Sequence, residues 1–425
     1  MACRLVFDVE LFMQRQSFLV AGGGLAGFTA AIEFASAGYS VQLLEQSKHF
    51  GGRAATHHQQ GFAMNIGPHA FYRAGIMKRQ FDSWGIAYSG NVPFTQGASY
   101  LLANGARHGF PAGTMGLLRC NYFSLSEKIK IGQIFEAIPK MDAASACGQS
   151  MQDWIDSRAG SREAALLLAA LTRLSTYAAD LTLLDAGAAL AQLQLAFSAS
   201  ALYLDGGWES MFGGLVRKAQ SLGVEMRIEA GIRKVESGAV ELRNGERLTT
   251  DGIVLAISPR EVKQITGIPL QHSAAARAAC LDLGLKRLPD DAASFALGLD
   301  SLVYFSVHSL YARGLAPEGG ALVQISKYLG CDATATRDEL EQVADLAMPS
   351  WRREVLMSRF LPDMTVAHAI PQFDRARADV DALGLSRVMI AGDWVGPDGM
   401  LADAAVASGL RAARALIQSA VEKAA

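Results

Sequence analysis

Little in this 425-residue chain points to a disulfide framework, a metal or a nucleic-acid partner. Its five cysteines (Cys3, Cys120, Cys147, Cys280 and Cys331) are odd in number and scattered, with no CxxC and no metal-ligand spacing. A reduced, cytoplasmic setting follows most simply. The eight histidines form no ligand pattern either; His57 and His58 are adjacent, and neighbours on a strand point to opposite faces. With a formal net charge of −2 and no basic stripe, the chain is not expected to bind nucleic acid. Long apolar runs are missing too. The stretch from Ala186 to Leu204 carries no charge but is broken by Gln192, Gln194, Ser198 and Ser200, whereas a bilayer span takes about 20 continuous apolar residues. It reads as a buried helix. Half of the residues are hydrophobic and mean hydropathy is +0.17, so peripheral membrane contact stays open. Met1 to Phe12 lack the apolar core and cleavage site of a signal peptide; they read as an extension ahead of a natural start at Met13.

What is present begins at Ser17. Ser17 to Ala21 is a compact apolar run, and Gly22-Gly23-Gly24-Leu25-Ala26-Gly27 follows in GxGxxG spacing. Gly22 permits a tight turn, Gly24 lets backbone approach a pyrophosphate, and Gly27 lets the following helix lie close to the strand. That helix is expected to run to about Gly38, its free amides and dipole facing the phosphates. A second strand, Val41 to Leu44, leads to Glu45, near the distance of about 20 residues at which a carboxylate meets a ribose hydroxyl. No second GxGxxG follows another strand, so a dedicated NAD(P)H domain is not expected.

The residues after Glu45 decide the cofactor. Phe50-Gly51-Gly52-Arg53 resembles the GGR signature of the flavin-containing amine oxidase and phytoene desaturase superfamily, and the segment Gly61 to Phe71, with Gly67, Pro68 and His69, resembles its flavin-lining stretch. Asn65 stands where many members have an aspartate, which puts a charged interaction there in doubt. Val388 to Trp394, an apolar strand ending in Gly392-Asp393, is similar to the second flavin motif, and Gly399-Met400-Leu401 opens a C-terminal helix. The resemblance implies FAD as cofactor, held by Gly22, Gly24, Leu25, Ala26, Gly27, Glu45, Gly52, Arg53, Gly67, Pro68, His69, Ile232, Ala256, Gly392, Asp393, Gly399, Met400 and Leu401.

It also implies an α/β fold: a discontinuous Rossmann-like FAD domain (13–72, 203–268 and 384–425) with an inserted α+β substrate domain (73–202 and 269–383). The first insertion should be mostly helical, as in the alanine- and leucine-rich 163–171; the second should hold strands at 293–299, 302–307 and 321–326, marked by alternation. The expected activity is that of an FAD-dependent oxidoreductase of the desaturase or oxidase type, moving a hydride from a C–H of an apolar or amphipathic small molecule, with dioxygen or a quinone as acceptor. A flavin amine oxidase is the alternative, and a non-catalytic lipid- or prenyl-binding escort protein of the same fold is the alternative of another class. A flavin-dependent isomerase also stays open. Candidates for direct chemical roles are Arg53, His69, Tyr72 and Trp394, with packing the bland reading for His69 and Trp394; Tyr304, Phe305, Tyr311, Tyr328 and Phe373 are candidate pocket walls or core residues.

Overall fold

The computed structural model describes residues 16–69, 71–93, 98–271 and 273–424; the N-terminal extension, Met13, Cys3 and Ala70 lie outside them. Five parallel strands build the sheet that carries the glycine motif, in the order Glu225–Arg227, Ser40–Leu44, Ser17–Ala21, Gly252–Leu255, Val388–Ile390. These strands come from separate stretches of chain. All four residues of Gly252–Leu255 are buried, as a central parallel strand requires. Helices Leu25–Ser36, Trp208–Ser221 and Leu401–Ala424 share one apolar core with this sheet. The C-terminal helix can lie against the glycine helix because position 409 has no side chain: a Cβ there would stand 2.5 Å from the Ala26 carbonyl oxygen.

A second, seven-stranded sheet runs Val355–Ala367, Ala276–Leu285, Ala321–Leu329, Val303–Val307, Phe295–Gly298, Ser99–Ala103, Ala106–Gly109. Helix Arg337–Ala347 covers one face, through Leu340, Ala344 and Ala347 against Leu281, Val323, Ile325 and Phe305. Helices Leu125–Ala137, Met151–Ala159, Arg162–Thr176 and Ala186–Ala199 form a further layer, whose core they share with sheet residues such as Leu101, Leu297, Tyr304 and Tyr328.

The expected strands of the second insertion exist, but their alternation does not mean what alternation usually means. Gln324 and Ser326 alternate with Val323 and Ile325 along the Ala321–Leu329 strand, yet all four are buried. The polar side of this sheet faces the protein interior rather than water. The first insertion is helical in bulk, but it also donates the hairpin Ser99–Ala103 and Ala106–Gly109 to the sheet edge. The uncharged stretch from Ala186 divides into a helix ending at Ala199 and the short strand Ala201–Leu204. Among the described residues, no helix is long and apolar enough to cross a membrane.

Candidate active site

The three fingerprint glycines have different neighbours. Gly22, at φ +105, would put a Cβ 2.3 Å from the Ala256 carbonyl oxygen, and Gly27 would put one 1.9 Å from that of Gly22. Both serve the close approach of strand, turn and helix. At Gly24 a Cβ would meet nothing within 4 Å: the space beside it is open. Helix Leu25–Ser36 starts there with no side-chain cap and no acidic residue in its first turn. Its first amides lack intrahelical acceptors, and the positive end of its dipole faces the same space. Glu45 is fixed beside this turn, Oε2 accepting from the Gly23 N–H at 2.7 Å and Oε1 from Ser47 N–H at 2.8 Å.

This turn borders a cavity of about 450 Å³. Of the residues predicted to hold the cofactor, Gly22, Gly24, Leu25, Ala26, Glu45, Gly52, Arg53, Pro68, His69, Ile232, Ala256, Gly392, Asp393 and Leu401 line it; Gly27, Gly67, Gly399 and Met400 do not. Gly67 acts at one remove. Met364 lies over it, a Cβ at 67 falling 1.9 Å from Met364 Cε, and Met364 itself forms cavity wall. Met400 packs into the core of the helical layer.

Asp393, on the turn after the Val388–Ile390 strand, is 3% exposed. Its Oδ2 accepts from Arg53 Nη1 at 2.6 Å and its Oδ1 pairs with His368 Nδ1 at 3.1 Å. Burial alone would raise this carboxyl's pKa, but the Arg53 charge and the bonds from His368 and Arg53 hold it well below the usual range. It is therefore an anion at working pH. Arg53 also donates to the Val366 carbonyl at 2.8 Å, so the GGR turn, the Gly-Asp turn and the end of the Val355–Ala367 strand are tied together at the cavity wall. Arg377, itself buried, clamps the approach to the C-terminal helix by donating to the carbonyls of Asp393 and Gly399, the latter at 2.8 Å.

The candidates for chemistry separate clearly. His69 Nδ1 stands 2.9 Å from the Gly67 oxygen and Nε2 2.9 Å from the Arg53 oxygen. Burial lowers its pKa, so the neutral ring donates to one of them; both nitrogens face backbone, and the ring packs on Trp208 at 4.6 Å between centroids. Tyr72 lies outside the cavity, its hydroxyl donating to the Ser175 carbonyl at 2.8 Å. Trp394 lines the cavity with its Nε1 bonded to the Ile257 carbonyl at 3.2 Å, over a Gly392 that leaves room for the indole. Tyr304, Phe305, Tyr311, Tyr328 and Phe373 are not among the lining residues. Besides Trp394, the aromatic walls are Tyr177 and Trp208, which sequence reasoning did not select. His368, Arg377 and Arg243 were missed as well. Asn65, where a charge was in doubt, uses its Oδ1 to accept the Trp208 N–H at 3.0 Å, capping the Trp208–Ser221 helix from a neighbouring strand.

An uncapped helix start, an empty approach at Gly24 and a ribose-side carboxylate, all on one cavity with the GGR and Gly-Asp turns, fit an FAD. A model described as flavin containing amine oxidoreductase matches residues 25–417. The 4,4'-diaponeurosporene oxygenase of Staphylococcus aureus (strain USA300) is 42% identical over 64 residues, 15% of this chain and only 13% of that relative's length. Solved structures agree in fold: a putrescine oxidase bound to putrescine gives a TM-score of 0.72 at 15% identity over 95% of this chain and 99% of its own. Cyclohexylamine oxidase from Brevibacterium oxydans IH-35A gives 0.69 at 16% identity over 95% and 99%. Matched by the family model over most of its length, the chain belongs to the flavin containing amine oxidoreductases and is an FAD-dependent oxidoreductase.

Proposed function

We propose that this enzyme oxidises a C–H bond of an apolar or amphipathic small molecule. One observation carries the reading: the cavity that meets the glycine turn is also lined by Ile66, Tyr177, Met364, Val366 and Leu401, apolar side chains contributed by both halves of the fold. Bound FAD supplies a two-electron acceptor for hydride. The protein's part is to hold the substrate carbon at near-attack distance and to exclude water while the bond breaks. Met364, seated by Gly67, and Tyr177 supply the dry surface for this. The Asp393 anion is neutralised by Arg53, so it places no free negative charge against an apolar chain. When the product is an alkene, the second hydrogen leaves as a proton. His368 is a suited group on the wall, its Nδ1 held by Asp393 and its Nε2 left for a proton or a cofactor oxygen. The electrons leave to dioxygen or a quinone.

Amine oxidation is the second reading, supported by the family description and the amine-oxidising neighbours. An anaerobic titration separates the two. Bleaching of the flavin bands by long-chain apolar compounds, with none by alkylamines, is the expected result; the reverse pattern would transfer the assignment to amine oxidation.

A further inference from the structure

The interior polar face of the seven-stranded sheet is built, not incidental. Across four neighbouring strands, register places Tyr304 beside Ser326, Ser306 beside Gln324, Cys280 beside Ser326 and Asp282 beside both Gln324 and Arg359. Most of its groups satisfy one another. Tyr304 donates to Gln324 Oε1 at 3.0 Å, Gln324 Nε2 donates to Asp282 Oδ1 at 3.0 Å, and Arg359 Nε donates to Asp282 Oδ2 at 2.8 Å. Two hydroxyls on this face are exceptions, those of Ser306 and Tyr328, and Tyr328 is the one that reaches toward the cavity wall. It is 1% exposed, and its hydroxyl has no hydrogen-bond partner among the described residues. A buried phenol left unpaired bears its desolvation cost with nothing to offset it.

Tyr328 stands directly behind the cavity wall. Its ring meets that of Tyr177, edge to face, at 6.1 Å between centroids, and Tyr177 lines the cavity. Tyr177 holds that place from a left-handed backbone, φ 58 and ψ 8, at the end of helix Arg162–Thr176. A side-chain-bearing residue is strained there, and such outliers cluster where function fixes them.

We propose that the substrate chamber continues past Tyr177 onto this polar face, and that Tyr328 Oη binds a neutral hydroxyl or carbonyl oxygen carried by an otherwise apolar substrate. The inference rests on the apolar-substrate reading above and narrows it. An ammonium is disfavoured at this end: both oxygens of Asp282 are already taken, and a cation, Arg173, acts on the Tyr328 phenol. Burial keeps the phenol protonated and able to donate.

The test compares the FAD-loaded enzyme with Tyr328→Phe, using 1-octanol, octane and octylamine as probes and the perturbation of the flavin absorption bands, without air, as the readout of binding. Octanol affinity should fall about tenfold in the variant, and octane affinity should not change. Because the lost hydroxyl has no partner, the ligand-free variant should melt at or above the wild-type temperature. Equal octanol affinity in the two proteins would overturn the proposal, as would a variant that melts several degrees lower, which would mean that the hydroxyl serves the fold. Failure of the broader reading looks different: bleaching by octylamine would sink apolar C–H oxidation whatever Tyr328→Phe does to binding.

Discussion

At the scale of single residues, the glycine motif can be divided experimentally because its members do different work. At Gly24 an added Cβ meets no protein atom within 4 Å, and the backbone sits at φ −91, which other residues adopt freely; Gly24→Ala should therefore unfold as an apoprotein within about a degree of wild type, while FAD affinity drops about tenfold or more, a loss of roughly 1.4 kcal/mol at least. Gly27→Ala drives a methyl into the Gly22 carbonyl and should destabilise the protein by about 1–3 kcal/mol before any cofactor is considered. Calorimetry paired with a flavin titration reads both. The motif was legible in sequence because its spacing is local: a turn, an approach and a helix start within six positions. His368, Arg377 and Tyr177 were not, since their roles come from partners far along the chain. Asp393 shows the mixed case. The resemblance of its strand and Gly-Asp pair to the second flavin motif marked it as a site residue, but nothing local showed that Arg53 and His368 would occupy its oxygens.

At the scale of elements, the parallel strands and the helices that follow them were readable from continuous apolar runs bounded by glycine. The long strands Ala276–Leu285 and Val355–Ala367 were not. The second contains Arg359, Pro362 and Asp363, and its exposure varies along its length, so it shows neither a buried run nor a clean period of two. Helix Ile76–Ser83 illustrates another limit, because its start is finished by a residue more than 300 positions away. Its own cap, Gly75, offers no side chain. Asp403, in the first turn of the C-terminal helix, accepts the Met77 N–H at 2.7 Å while its second oxygen is buried without a partner. Burial, the largest influence, raises this carboxyl to about 6. Its folded value thus lies above the unfolded one of about 3.9, so its stabilising contribution is complete below that unfolded value and is lost as pH rises through 6. Asp403→Asn keeps an acceptor for Met77 and removes the charge; it should be more stable than wild type by about 2 kcal/mol at pH 8 and show no advantage at pH 4. Denaturant melts at the two pH values check this.

At the scale of the whole molecule, the two sheets are joined through a buried ion pair whose position no local pattern announced. Asp282, on the Ala276–Leu285 strand next to the edge of the seven-stranded sheet, is 1% exposed. Arg359 neutralises it from the adjacent strand and also donates to the carbonyl of Asn65, in the hairpin that leads to the flavin-lining segment. Asn65 in turn caps the Trp208–Ser221 helix, which packs in the core of the glycine-motif sheet. Removing the guanidinium therefore does two things: it strands a buried carboxylate and cuts a link between the halves. Arg359→Met should cost about 3–5 kcal/mol at pH 8, the range for breaking one side of a buried pair. Burial already raises Asp282, and Arg359 is the strongest influence opposing it, so the variant's carboxyl shifts further upward. The sign of the pH dependence follows. A raised folded value means that the penalty is fully expressed above it and fades as pH falls toward the unfolded value, because protonation then relieves the buried charge. The deficit of Arg359→Met should shrink as the melts are moved from pH 8 toward pH 5, and Asp282→Asn in the same background should recover much of it at pH 8. A deficit equal at both pH values would mean that the link to Asn65, rather than the stranded charge, carries the cost, and FAD retention would then fall together with stability.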